Sequence, residues 1–64
     1  MRISLEAARV NVKLTQEEAA KALNVSKKTL SSWENGKTYP KTEKIDSICA
    51  LYNIECDNIR WNVT

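Results

Sequence analysis

The chain has 64 residues, a formal net charge of +2, and 42% hydrophobic and 28% charged side chains. Its length predicts one domain, residues 1–64, of marginal stability, and its apolar content excludes an intrinsically disordered chain. No apolar stretch approaches the roughly 18 residues of a membrane span, and no signal-peptide pattern opens the chain, so a cytoplasmic protein is expected. One Gly, one Pro and few β-branched runs favour an all-α bundle over a sheet.

Five helical segments are bounded by their caps. The first is predicted over about Ser4 to Val12, with Leu5, Ala8 and Val12 on one stripe. The second opens on Thr15 and Glu18, a capping-box pair, and ends near Leu23, where Asn24 suits a left-handed turn. Ser26 caps the third, which runs to about Asn35 and is stopped by Gly36. After a loop over Lys37 to Pro40, the fourth covers about Thr42 to Tyr52, with Ile45, Ile48, Cys49 and Tyr52 at helical steps and Asn53 as its stop. A short final turn is expected from about Cys56 to Arg60, with Trp61 covering the open end of the core.

The chain has no histidine, and Cys49 and Cys56 are its only cysteines. A zinc site needs about four ligands, so no metal is expected, and a thiol without a histidine base makes a poor nucleophile. Cys49 falls in the apolar stripe of the fourth helix and reads as a small core residue. A Cys49–Cys56 disulfide is disfavoured in a reducing compartment. The Glu17–Glu18 pair complements a helix dipole better than it suggests acid–base work. With no phosphate loop either, neither an enzyme nor a cofactor is indicated.

Charge is unevenly distributed. From Lys27 to Lys44 five lysines face Glu34 and Glu43, whereas the residues after Lys44 set Arg60 against Asp46, Glu55 and Asp57. The cationic half contains the second and third helices, which suits a phosphate-facing surface. In that unit Ala19, Ala20 and Ala22 are small enough for close helix approach, and Leu23, Val25, Leu30 and Trp33 point inward. Ser26, Lys27, Lys28, Ser31 and Ser32 then form the outward face of the third helix. Such a helix fits a major groove and reaches base edges from its first turn.

These stretches carry a family resemblance that covers nearly the whole chain. Ala8-Arg9, Leu14-Thr15-Gln16-Glu17-Glu18-Ala19-Ala20, Val25-Ser26, Trp33-Glu34-Asn35-Gly36-Lys37 and Pro40 with Ile45, Ile48 and Ile54 resemble the Xre/Cro-type phage-repressor helix-turn-helix domain. The resemblance implies a compact five-helix bundle of the lambda-repressor-like type. Lys27, Lys28 and Ser32 would then face bases, and Gln16, Ser26, Thr29, Asn35 and Lys37 would hold phosphates. Gln16 would also brace the third helix, and Arg9 and Glu34 would form a partly buried ion pair tying the first helix to the third. Ala19 and Asn24 depart from the family pattern, which has a larger aliphatic residue and a Gly there.

Trp33 reads as core, whereas Trp61 suits either a core cap or a dimer contact. Tyr39 fits an exposed loop or a phosphate contact, and Lys41 and Lys44 fit either a solvated face or an extension of the phosphate track. The function expected is sequence-specific binding of double-stranded DNA by a transcriptional regulator, most simply a repressor of bacterial, phage or mobile-element origin. Affinity would come from a homodimer on a pseudo-palindromic site. The alternative is a protein-interaction module on the same scaffold, such as an antitoxin holding a toxin. That alternative calls for an exposed apolar patch around Ile54, Ile59, Trp61 and Val63.

Overall fold

The structure is a computed structural model that describes residues 2–61. Its element order is β1 (Ile3–Ser4), α1 (Leu5–Asn11), α2 (Gln16–Ala22), α3 (Lys27–Glu34), α4 (Thr42–Leu51), a 3₁₀ turn (Cys56–Asn58) and β2 (Ile59–Arg60). Three of the four α-helix starts follow from short-range polar chemistry, and α4 begins without a side-chain cap. Ser4, Thr15 and Ser26 each accept the backbone N–H three residues on, which satisfies one donor the helix itself cannot. At Thr15 the box is complete, because Glu18 accepts the Thr15 N–H at 2.9 Å. The Thr15 N–H, with its hydroxyl second, holds the Glu18 carboxyl below its ordinary value of 4.5.

All four α-helices end in one motif. The residue after each C-cap takes a left-handed conformation, with φ of 62° at Lys13, 60° at Asn24, 76° at Gly36 and 52° at Asn53. In every case its N–H and the next one turn back onto the helix, as Asn24 does to Lys21 O at 3.1 Å and Val25 to Ala20 O at 3.0 Å. A β-carbon disfavours this conformation by roughly 1–2 kcal/mol, which asparagine partly relieves through local hydrogen bonding. Lys13 has no such relief.

Leu5, Ala8, Ala19, Ala20, Leu23, Leu30, Trp33, Ile48, Cys49, Tyr52 and Ile59 form the core. Leu30 and Ile48 are completely enclosed. Trp61 packs partly against this core and meets Tyr39 edge to face, with ring centroids 5.9 Å apart. Ala19 and Ala20 make the close approach of α2 to its neighbours; Ala22, expected beside them, is exposed.

Three expectations are corrected. The fifth helix is a three-residue 3₁₀ turn, and the residues after it form a strand. Ile59 pairs with Ile3 and Arg60 with Ser4 in a two-residue parallel ladder. The ladder is anchored because Ile59, 2% exposed, enters the core beneath α1. Finally, Cys49 and Cys56 form a disulfide across a Cα separation of 5.6 Å. The left-handed turn at Asn53 doubles the chain back, so Cys56 lies beside the last turn of α4.

Candidate nucleic-acid interface

The connection between α2 and α3 is four residues long, numbers 23–26, and one of them is left-handed. A turn this short leaves the two helices little freedom of angle. Along the seam Ala20 and Leu23 from α2 lie in one core with Leu30 and Trp33 from α3. At the open end of the pair Gln16, first residue of α2, donates Nε2 to Glu34 Oε1 at the end of α3, 2.8 Å away. At the turn end Lys44 Nζ donates to Leu23 O at 2.7 Å. The unit is therefore fastened at both ends by polar bonds and along its length by apolar packing.

Glu34 also joins α3 to α1. Arg9 Nε donates to Glu34 Oε2 at 2.8 Å, and the two side chains are 9% and 3% exposed. Arg9 Nη1 donates to Leu14 O at 2.7 Å, which fixes the approach of the chain to α2. The hydrogen bond to Glu34 raises the Arg9 pKa above its ordinary value although burial opposes it, so the guanidinium stays charged. Tyr52 lies in the field of this pair, its hydroxyl buried and without a hydrogen-bond partner among the described residues.

The predicted contact residues lie on α3 and its flanks, with Gln16 at the start of α2. Lys27 and Lys28 are exposed in the first turn of α3, and Lys37 is exposed just past its end. Among the described residues none of these three lysines has an ion-pair or hydrogen-bond partner for its side chain. Ser32 is half-buried on the same helix. Ser26 Oγ accepts the Thr29 N–H at 3.0 Å and donates to Thr29 Oγ1 at 2.9 Å, so both hydroxyls are engaged in the cap. Asn35 donates Nδ2 to Ser31 Oγ at 3.3 Å. An amide nitrogen carries two N–H groups, so Gln16 and Asn35 each retain one for another acceptor. Tyr39 and Lys41 are exposed, whereas Lys44 is turned inward onto α2 and leaves both readings the sequence offered for it.

A short rigid pair of helices with unpaired cations on the leading turn of the second defines a helix-turn-helix. The chain belongs to the helix-turn-helix family of the Xre/Cro type, which matches residues 5–59. It is similar to the HTH-type transcriptional activator BcrR of Enterococcus faecalis, 36% identical over 55 residues, which are 86% of this chain and 27% of that protein. It is also similar to the Antitoxin PezA of Streptococcus pneumoniae, 44% identical over 41 residues, 64% of this chain and 26% of that protein. The chain thus spans little more than a quarter of the length of either relative. No solved structure gives a significant match.

Proposed function

We propose that the protein binds double-stranded DNA sequence-specifically and regulates transcription, with α3 lying in the major groove. The observation that carries this reading is the row of unpaired cations at Lys27, Lys28 and Lys37, presented by a helix that Glu34 and Lys44 hold in place. Lys27, Lys28 and Ser32 face base edges. Gln16, Ser26, Thr29, Asn35 and Lys37 meet phosphates on either side, through the amide protons and hydroxyl lone pairs their internal bonds leave over. Two copies on a pseudo-palindrome spaced by about one helical turn supply the affinity that one half-site lacks. Regulation of this kind belongs in the bacterial cytoplasm, where chromosome, phage and mobile-element DNA are all met. Repression is the simplest outcome of occupying a promoter, although the printed name of one relative is that of an activator.

Likeness to an antitoxin favours a second reading, a module that holds a protein partner. Among the described residues of the apolar patch which that reading calls for, Ile59 is buried in the core, and Ile54 and Trp61 are partly buried against it. Val63 lies outside the described residues.

Selection of bound duplexes from a random pool tests the main reading. Recovery of a two-fold symmetric consensus, bound with an affinity that falls steeply with salt, is the expected result. Absence of any complex at low ionic strength removes the regulator assignment and leaves the partner-holding module.

A further inference from the structure

We infer that Lys44 is a positioning residue for the recognition helix: from α4 it clasps the end of α2 and so fixes the turn from which α3 departs. The inference rests on the DNA-binding reading for its functional consequence, and on geometry alone for the clasp.

The left-handed motif that ends α2 satisfies the carbonyls of Ala20 and Lys21, through Val25 and Asn24 N–H. It leaves the last two carbonyls, those of Ala22 and Leu23, without intrahelical donors. Ala22 is an exposed residue, but Leu23 is 4% exposed. Lys44 fills that need at 2.7 Å in a partly buried setting. A cation there also lies at the negative end of the α2 dipole. Among the described residues no other helix has its C-cap carbonyl bonded by a side chain, although all four share the same terminal motif. The clasped end is the one that opens onto α3.

Position explains why this matters. Leu23 is the residue before left-handed Asn24, and three residues separate it from Lys27. A change in direction at Leu23 swings the leading turn of α3, with Lys27 and Lys28, while leaving its far end held by Glu34. Base readout tolerates far less displacement than phosphate contact does, so the clasp governs sequence preference more than total affinity. The Lys44 ammonium points to the Leu23 carbonyl under the turn, so the inference places it in the support of α3 and not in the phosphate track, with two of its three N–H groups left over.

Lys44→Met keeps the stem and removes the donor, and Lys44→Arg restores one. In the free protein, hydrogen exchange at the Asn24 and Val25 amides is expected to rise about tenfold in Lys44→Met, the loss of one charge-assisted bond. Exchange at Asn53 and Ile54, the same motif in α4, stays unchanged, and Lys44→Arg returns the turn toward its original protection. With duplexes, affinity for the selected site falls, affinity for random sequence holds, and the slope of log K against log salt is unaltered. A slope shallower by about one contact on every duplex, with an unchanged turn, makes Lys44 a phosphate ligand and overturns the inference. A uniform rise in exchange across all four helices also overturns it, since the residue then serves only overall stability. The exchange arm needs no DNA, so it judges the clasp even if no duplex is bound.

Discussion

Tyr52 brings a polar atom into the core without a partner, and its effect is separable from that of its ring. The ring fills space beside Ile48 and Cys49, whereas the hydroxyl is a desolvated group with nothing to bond. Tyr52→Phe is therefore expected to stabilise the protein by about 1 kcal/mol, raising Tm by about 5 °C in a thermal melt. Burial, helped by the Glu34 charge and opposed by Arg9, pushes the hydroxyl from 10.0 up to about 12. The folded state thus favours the neutral phenol. That contribution is fully present below pH 10.0 and is lost as pH rises toward about 12, so the Phe variant should lose less stability in alkali than the wild type. Arg9 sits at the other extreme, with each of its three side-chain nitrogens engaged in a hydrogen bond. Arg9→Met takes the counter-ion from a Glu34 carboxylate that is 3% exposed and keeps its bond from Gln16, and should cost about 3–5 kcal/mol in a denaturant titration. Adding Glu34→Leu to it should recover a large part of that loss, because the stranded charge is then gone.

At the scale of elements, what could be read from the sequence was whatever depends on neighbours a few residues away. Thr15 and Ser26 as caps, Asn24, Gly36 and Asn53 as stops, and Leu30 and Trp33 as core all rest on bonds or periodicity inside one turn. The α1–α3 pair of Arg9 and Glu34 was reached through family likeness, since 25 residues separate its members. The β1–β2 ladder left no trace, because two residues show no alternation and the partners lie 56 positions apart. Lys44 was ambiguous for the same reason: a lysine stem does not announce a carbonyl 21 residues away. For Cys49 and Cys56 the sequence argument weighed the compartment and not the geometry, and the turn at Asn53 decides the geometry. The loop they close spans a sequence separation of only 7. By loop entropy, opening it should cost about 2.5 kcal/mol. A reducing agent should lower the Tm of the wild type by about 10 °C or more and leave a Cys49→Ala/Cys56→Ala variant unmoved. Protection at β2 should be the first to fall, since the bridge ties that segment to α4.

Seen as a whole, the molecule has little net charge, +2, and owes its electrostatic character to where the charges are left unpaired. Arg9 is paired with Glu34 inside and Lys44 is bonded beneath the turn, which leaves Lys27, Lys28, Lys37 and Lys41 as the exposed cations of α3 and the loop after it. Lys37→Ala should weaken binding to all duplexes alike and reduce the salt slope by about 1. Lys28→Ala should instead shift preference among sites by about 1–3 kcal/mol, measured by competition between the selected duplex and its single-base variants. Equal losses on every duplex would take Lys28 off the list of base readers.

The parallel sense of the β1–β2 ladder has a mechanical consequence. Two strands running the same way admit the chain at one end of the ladder and release it at the other. Tension applied through handles at Arg2 and Trp61 therefore slides the strands past each other and loads their hydrogen bonds together, where an antiparallel hairpin would peel open one bond at a time. Held between tweezers, the domain should yield at one abrupt force step that begins at its seam, with the recognition helix still folded when the ladder gives way.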